Sequence, residues 1–243
     1  MEVLASSDKG RVREQNEDYY YVSDKNKDLG IYMLADGMGG YEGGEIASRL
    51  AIDAARRYIE DHFDEIPHDN KENILKLIRD SMEYANTVVF DIAKQSEELK
   101  SMGTTLEICL IYNNRAYIGH IGDSRIYRIR GQFIRKLTTD HSYVETLVKD
   151  GTITKEEAKH HPKKNMLMKA LGCLEFAEPD VMVKNFQKGD IIVMTSDGLT
   201  NMVEESTIHE TIINNFENSD KLLIDMANNA GGVDNITVVI IKN

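Results

Sequence analysis

The chain of 243 residues is 41% hydrophobic, so it can bury a sizeable core as one large domain or two small ones. Its 41 acidic and 29 basic residues give a formal net charge of −12, which argues against a surface for nucleic acid or anionic membrane. Cys109 and Cys173 are too few for a disulfide framework, and Cys109 lies in an apolar strand pattern that predicts a buried free thiol.

The amino-terminal sequence has no signal-peptide pattern, and no apolar run is long enough to cross a bilayer. We therefore expect a soluble, cytoplasmic protein. Because the chain is acidic, an anionic substrate would need local cationic groups to hold it.

Strand and helix signals occur in blocks along the chain. Runs rich in Val, Ile, Tyr and Leu predict strands, and apolar residues at helical spacing predict helices. The predicted strands cover 3–6, 18–22, 30–35, 106–112, 115–121, 181–186, 190–195 and 236–241. The predicted helices cover 47–58, 74–92, 143–149, 155–159, 204–214 and 220–228. Asn113-Asn114 and Arg130-Gly131 are typical of hairpin turns.

These blocks predict the fold class. Strands grouped at both ends, with helix pairs between and after them, cannot form a simple alternating parallel sheet. Two packed antiparallel sheets with helices on their outer faces would bury both the helix stripes and the strands, which predicts an α+β sandwich. The chain has only 3 prolines and no Gly/Ser-rich linker, so one domain is expected rather than two.

Five short acidic stretches lie where predicted strands begin or end. They are Arg13-Glu14-Gln15-Asn16-Glu17-Asp18, Asp36-Gly37, Gly122-Asp123-Ser124-Arg125, Ser196-Asp197-Gly198 and Asp234-Asn235. Carboxylates delivered by separate strands can surround a hard divalent cation with oxygen ligands. No Cys or His cluster has the spacing of a zinc site. The first hypothesis is therefore metal-assisted chemistry on a phosphate.

A turn is the simplest interpretation of an isolated Asp-Gly pair. Asp36-Gly37 and Asp197-Gly198, however, each follow an apolar strand and precede a helix, and Asp234 comes just before the last apolar strand. Three aspartates at the ends of buried strands are hard to explain as three independent turns. Glycine beside the aspartate would also let the backbone approach an ion or a phosphate closely.

Several motifs occur together over essentially the full length. They are Arg13-x-x-Asn16-Glu17-Asp18, Ala35-Asp36-Gly37-Met38-Gly39-Gly40, Gly103-Thr104-Thr105, Gly122-Asp123-Ser124-Arg125, Thr139-Asp140-His141-Ser142, His161-Pro162, Ala170-Leu171-Gly172, Thr195-Ser196-Asp197-Gly198-Leu199 and Asp234-Asn235-Ile236-Thr237. In this order they resemble the metal-dependent Ser/Thr protein phosphatases of the PP2C (PPM) family in their compact bacterial form. The resemblance implies a four-layer αββα sandwich, with two central antiparallel sheets flanked by helix pairs. It also implies a single phosphatase domain over 1–243 with a flap subdomain at about 142–172.

The resemblance implies a metal centre that holds two Mn²⁺ or Mg²⁺ ions. A third ion is expected from the bacterial relatives. It implies that Asp36 bridges two ions, that Asp197 and Asp234 bind one of them, and that the Gly37 carbonyl binds the other. With Asp18, the three aspartates form the expected catalytic set. Hydroxide held between the two ions would attack phosphorus directly, without a phosphoenzyme.

The remaining roles implied by the resemblance concern outer ligands and the phosphate. Glu17 and Asp18 would act on the same centre, mostly through bound water, and Asp123 would join Asp197 in the third site. Arg13 would grip phosphate oxygens, because its planar fork can bond two oxygens at once. Gly122-Asp123-Ser124-Arg125 could equally be a tight turn stapled by an Asp–Arg pair.

Met38 stands where many eukaryotic members carry a histidine that is a candidate general acid, so a metal-bound water is the expected proton donor. His141 is expected to organise its loop by hydrogen bonding, and His120 to be a satisfied core residue. His160 and His161 open a basic run that is expected to be exposed.

Three lysines of the predicted flap could meet a phosphopeptide or could simply be solvated: Lys163, Lys164 and Lys169. Two of them, Lys164 and Lys169, stand where bacterial relatives often carry Arg, which argues against bidentate phosphate contacts there. Met166 and Met168 are expected to pack this segment onto the body.

The leading hypothesis is a phosphatase acting on phosphoserine and phosphothreonine in proteins and opposing a Ser/Thr kinase. The expected partners are phosphorylated proteins and a cognate kinase, with no nucleic acid or membrane, and the protein is expected to be a monomer. Two alternatives stay open from the residues alone. One is a catalytically silent regulator that binds phosphoproteins on the same fold. The other is a two-metal phosphodiesterase, which the acidic charge and the lack of an aromatic-basic groove disfavour.

Overall fold

The computed structural model describes residues 1–24, 29–39 and 43–243. Its strands are β1 (Glu2–Asp8), β2 (Asp18–Val22), β3 (Gly30–Met38), β4 (Gly103–Thr104), β5 (Leu106–Tyr112), β6 (Arg115–Ile121), β7 (Arg125–Arg130), β8 (Phe133–Lys136), β9 (Asp180–Asn185), β10 (Ile191–Thr195) and β11 (Ile236–Lys242). Its α-helices are α1 (Gly43–His62), α2 (Lys71–Ala93), α3 (Tyr143–Lys149), α4 (Lys155–Lys159), α5 (Asp197–Thr200), α6 (Glu205–Asn214) and α7 (Ser219–Asn229).

The strands form two antiparallel sheets. The first has the order β1-β11-β10-β7-β8, and the second has the order β2-β3-β5-β6-β9, with β4 paired to β3. Asn113 and Asn114, with φ of 48° and 56°, form the tight turn between β5 and β6, as the sequence predicts.

The strands alternate their side chains between two cores. On β5, for example, Cys109 and Ile111 face the other sheet, whereas Ile108 and Leu110 face the helices. The inner faces of both sheets share one apolar layer that includes Leu34, and Cys109 in that layer is a buried free thiol.

The helices cover the outer faces. α1 and α2 pack on the second sheet through residues such as Ala51 and Ile78, and α6 and α7 pack on the first through Ile208 and Leu223. Asn70 begins α2 by accepting a hydrogen bond from the Glu72 amide at 3.0 Å. The predicted α+β sandwich of two antiparallel sheets flanked by helices is confirmed.

The structure differs from the prediction at the end of β3. The predicted strand stops at Ala35, but β3 continues to Met38, so Asp36 lies inside a strand and not at its end. The extension is stabilised by β4, whose Thr104 pairs with Gly37. Such pairing between distant segments is not visible in a local pattern.

The segment 142–172 folds back on itself. α3 and α4 have the predicted bounds, and Thr154 and Glu157 form a capping box at the start of α4. An isolated bridge joins Ser142 to Leu167 at its base. Among the described residues, no helix combines the length and the apolar character that a membrane crossing requires.

Candidate metal centre

Asp18 and Asp36 are direct cross-strand neighbours at the end of the second sheet. Burial, followed by the charge of Asp18, raises the pKa of Asp36 well above its usual range. Burial also raises the pKa of Asp18 to about 7, although Ser196 donates a hydrogen bond to its Oδ2 at 2.7 Å. Its other oxygen, Oδ1, is buried without a hydrogen-bond partner in the described residues. Such an oxygen suits an ion or a bound water.

The backbone of Asp36 is fixed from both sides. Its N–H donates to Thr105 Oγ1 at 2.9 Å, and its carbonyl accepts from the Thr105 N–H and from Thr104 Oγ1, each at 2.9 Å. These bonds fix the backbone from which the carboxylate projects, so the residue is pre-organised as a ligand.

Glu17 lies against the start of α1. The Gly44 N–H donates to its carboxylate, but burial still raises the pKa of Glu17. The Gly37 N–H donates to the Glu17 carbonyl at 3.2 Å. A methyl group on Gly37 would overlap the Gly44 carbonyl oxygen, so only glycine allows this approach of β3 to α1. Gly40 of the same motif lies outside the described residues.

The first sheet supplies the facing acids. Asp197 begins α5 directly after β10, and Asn201 donates to its Oδ2 at 3.0 Å. Burial and the charge of Asp234 raise the pKa of Asp197 to about 6. Asp234 precedes β11, and Arg13 Nη2 donates to its Oδ2 at 2.8 Å. The guanidinium predicted to hold phosphate is therefore paired with a predicted metal ligand in this structure.

Asn235 ties the loops of the centre together. Its Oδ1 accepts from the Glu17 N–H at 2.8 Å, while its Nδ2 donates to the carbonyls of Lys9 at 2.9 Å and Gln15 at 2.8 Å. Together with Ser196, it positions acids without being one. Both residues lie inside the sequence motifs, but the sequence predicts no role for them, because hydrogen bonds across the sheets have no local signal.

Asp123 follows β6 and faces the same group of acids. Burial and the charge of Asp197 raise its pKa to about 8. The alternative of a turn stapled by Asp123 and Arg125 is wrong, because Arg125 donates to Asp140 at 2.7 Å and 3.0 Å. Lys136 also binds Asp140, at 3.1 Å, so Asp140 pairs with two cations.

The acids converge without forming a preset single-ion cage. Asp36 lies close enough to Asp18, Asp197, Asp123 and Asp234 for each of their charges to raise its pKa. Within the described residues, however, no three acidic, histidine or cysteine side chains already stand in the arrangement of a one-ion site. Mg²⁺ commonly keeps several waters and takes only one or two carboxylates. The candidate ligands are all oxygen donors, Asp18 Oδ1 is buried without a partner among the described residues, and Gly37 lets the backbone approach closely. These three features fit hydrated hard cations.

The histidines take mostly structural places. His120 is fully buried, with hydrogen bonds at both ring nitrogens, and His141 exchanges hydrogen bonds with Gly122, as predicted. The His160 side chain is 80% exposed, as predicted. His161 is half-buried and not exposed as predicted, and its ring lies near that of Tyr143.

The three lysines of the segment 142–172 have different surroundings. Lys169 pairs with Glu178 at 3.3 Å and Lys163 lies over the Tyr143 ring, while Lys164 lines the cleft that the segment 142–172 forms with Asp123 and Asp197. Met166 and Met168 are 45% and 51% exposed, so the packing role predicted for them is at most partial.

The profile of the family described as Protein phosphatase 2C matches residues 9–229. The chain belongs to this family. It is 38% identical over 247 residues to the protein phosphatase PhpP of Streptococcus pneumoniae, with 100% of this chain and 97% of that protein covered. Two solved structures agree with this membership.

The first is a serine/threonine phosphatase of S. agalactiae, with a TM-score of 0.90, 34% identity and coverage of 100% of this chain and 99% of that one. The second is the catalytic domain of the phosphatase PstP in complex with two manganese ions, with a TM-score of 0.85, 35% identity and coverage of 98% and 96%. This PP2C-type chain is therefore a protein serine/threonine phosphatase, and the predicted family, fold and enzyme class are confirmed.

Proposed function

We propose that this phosphatase works with two Mn²⁺ or Mg²⁺ ions held between the ends of its two sheets. Asp36 would be shared by both ions, Asp197 and Asp234 would bind one, and the Gly37 carbonyl would bind the other. The observation that carries the proposal is the convergence of acids from both sheets around Asp36, whose pKa each neighbouring aspartate raises. PstP, a structural relative of this chain, is known with two manganese ions.

The outer positions follow from the same geometry. Asp18, with its unpartnered Oδ1, and Glu17, with its raised pKa, would accept hydrogen bonds from waters around the ions. Asp123 and Asp197 interact by charge, which supports a third site between them. When bound, divalent ions lower the pKa of water and neutralise the charge of the phosphate.

Arg13 would orient the phosphate. Its side chain is 50% exposed, and it bonds to Asp234 through Nη2, so the half-exposed fork has further donors to offer a phosphate. A guanidinium can hold a carboxylate and a phosphate oxygen at the same time because it has five donors. Asp234 would in turn keep the fork in the correct plane.

The substrates would be proteins carrying phosphoserine or phosphothreonine, made by a Ser/Thr kinase whose action this enzyme reverses. The net charge of −12 supports a protein partner over nucleic acid or membrane. We further propose that the enzyme acts in the cytoplasm as a monomer, as a single domain over 1–243 with a mobile flap at about 142–172. Main-chain contacts at the base of 142–172 support a segment that is anchored at its ends.

The substitution Asp36→Asn tests the shared-ligand role. It removes the charge but keeps the size, and we expect hydrolysis of p-nitrophenyl phosphate with Mn²⁺ to fall by about 100-fold or more, beyond the loss typical of outer ligands. Asp61→Asn, an exposed acid on α1, is the matched control and should behave as the wild type. Full activity of Asp36→Asn in saturating Mn²⁺, with none lost in EDTA, would reject the proposal.

A further inference from the structure

We propose that Glu107, His120 and His141 are positioning residues that hold the start of the segment 142–172 beside Asp123. The inference rests on the proposed function, because it gives a purpose to the placement of Asp123 and of the cleft next to it. We call these three side chains, with their partners Thr139 and Gly122, the latch.

Glu107 and His120 are direct cross-strand partners on β5 and β6. Both side chains are fully buried, and His120 Nδ1 lies 2.6 Å from Glu107 Oε1. Glu107 pairs with Leu34 on β3 and with His120 on β6, and Leu34 lies two residues before Asp36 on the same face of β3. The Glu107–His120 pair is therefore one row of inward-facing residues away from Asp36. The pair is thus inside the sandwich, next to the proposed metal centre but not part of it.

The hydrogen-bond partners determine where the protons are. His120 Nε2 lies 2.8 Å from the Thr139 carbonyl, which can only accept, so Nε2 carries a proton. The second short contact then requires one more proton between His120 Nδ1 and Glu107 Oε1. Whichever atom holds it, the pair is neutral overall and donates to Thr139.

His141 makes the second half of the latch. Its N–H donates to the Gly122 carbonyl at 2.7 Å, and the Gly122 N–H donates to its Nδ1 at 3.2 Å. Burial lowers the pKa of His141 to about 4, so the ring is neutral and Nδ1 can accept. Gly122 directly precedes Asp123, so this reciprocal pair fixes the backbone that carries that acid.

The latch reaches into the segment 142–172. The Met168 N–H donates to the His141 carbonyl at 2.7 Å, and the Tyr143 N–H donates to the Met166 carbonyl at 2.8 Å. Above this base lies a cleft of about 900 Å³, lined by residues that include Asp123, Glu145 and Lys164. The position of the latch therefore determines where one wall of the cleft stands relative to Asp123.

The energetic cost of burying the Glu107–His120 pair favours a positioning role for it over a stabilising one. Burying a Glu–His pair costs desolvation, and apolar side chains of similar volume are often neutral or stabilising in its place. Glu107 Oε2 is also buried without a partner among the described residues. What apolar side chains would not provide is the donor to the Thr139 carbonyl.

The test separates the latch from the core. The double variant Glu107→Met with His120→Phe keeps the volume apolar and removes the donor to Thr139. We expect cooperative unfolding to be retained and amide exchange at His141 and Met168 in the metal-free protein to become about tenfold faster, as for the loss of one hydrogen bond. The KM for a phosphopeptide should rise about fivefold with kcat changed less than twofold. Glu107→Gln can still donate to His120 and should match the wild type in both measurements.

A second pair of variants guards against misfolding of the first. In His141→Asn the side-chain oxygen can replace Nδ1 as acceptor for the Gly122 N–H, whereas in His141→Leu it cannot. Faster exchange and a higher KM in His141→Leu, with rescue in His141→Asn, are the expected results. Wild-type exchange and KM in both His141→Leu and the double variant would overturn the latch. Because the exchange is measured without metal, failure of the proposed metal roles would appear separately, in Asp36→Asn.

Discussion

Individual carboxyl groups of the metal centre bind protons more tightly than they would in water, because their pKa values are raised. Asp18 and Asp36 are opposite each other on adjacent strands, and like charges directly opposite destabilise a sheet. Burial, followed by the charges of Asp197 and Asp234, raises the pKa of Asp18 to about 7, and the charge of Asp18 in turn helps to raise the pKa of Asp36. A divalent cation between the strands would remove both costs at once, so the same residues that destabilise the metal-free sheet favour the loaded one.

Arg13 shows how one side chain can link the acid cluster to the substrate. We expect Arg13→Ala to lower kcat/KM for p-nitrophenyl phosphate by about 100-fold, because a charge-assisted hydrogen bond to phosphate is worth about 1.5–3 kcal/mol. Arg13→Lys should lose about tenfold, since an ammonium keeps the charge but not the fork that spans Asp234 and a phosphate oxygen. Steady-state kinetics in saturating Mn²⁺ measures both.

The control for Arg13 is Arg57→Ala, at an exposed position on α1. It removes the same charge from the molecule far from β11. If Arg13→Ala and Arg57→Ala have the same kcat/KM, Arg13 does not touch the phosphate.

At this scale the sequence predicts which residues matter better than it predicts their partners. The motifs singled out Asp18, Asp36 and Asp197 because acidic residues beside apolar strands are unusual. They did not predict that Ser196 would bind Asp18, or that Arg125 would bind Asp140. Such partners come from different strands, and their meeting depends on the packing of two sheets.

Among the elements, the strand ends approach one another more closely than most side chains would allow. α5 begins against the chain just before β11, and a methyl group on Gly198 would overlap the Asn235 carbonyl oxygen. The requirement is for space and not for an unusual backbone angle. This contact sets the distance between Asp197 and Asp234, which lie at the two sides of it.

Gly198→Ala should therefore destabilise the protein and weaken metal binding together. Overpacking a filled site costs about 1–3 kcal/mol, and here the obstacle is backbone, so we expect about 3 kcal/mol or more of unfolding free energy. Urea denaturation and Mn²⁺ titration measure the two effects. Ser206→Ala, at an exposed position of α6, should change neither. Wild-type stability of Gly198→Ala would mean that α5 and β11 do not pack as described.

Some predicted elements have the bounds that the structure shows, where the pattern is local. β2, α3 and α4 have the predicted bounds, because apolar periodicity and capping residues act within a few positions. The sequence does not predict the two-residue strand β4 or the extension of β3 through Asp36, since both exist only by pairing with each other. Which strands pair is a property of the whole fold and not of any one stretch.

Across the whole molecule, the metal centre is a product of sheet packing. Asp18 and Asp36 come from one sheet, whereas Asp197 and Asp234 flank strands of the other. The shared apolar layer, with Leu34 and Met194 among its residues, brings the two ends together. Hydrophobic burial thus holds like charges close to one another, and the metal-free protein carries that repulsion as a pH-dependent loss of stability.

The stability of the metal-free protein should fall between pH 6.5 and 8. Aspartate has a pKa of about 3.9 when unfolded, but the folded-state pKa values of Asp18 and Asp123 are raised to about 7 and about 8. The folded state therefore binds more protons than the unfolded state in this window, and its advantage is lost as pH rises through the folded-state values. His120, whose pKa Glu107 raises although burial alone would lower it, acts in the same direction.

Adding Mn²⁺ distinguishes the contribution of the acid cluster to the pH dependence from that of His120. Metal binding needs deprotonated carboxylates and relieves only the repulsion between them. The increase in Tm on replacing EDTA with Mn²⁺ should therefore be larger at pH 8 than at pH 6.5. Calorimetry at both pH values measures it, with Asp123→Asn as a variant that should flatten the difference by removing a carboxyl group whose pKa is raised to about 8. An equal or smaller increase at pH 8 would show that the raised carboxylates do not face the ions, since ion binding would then release no protons from them.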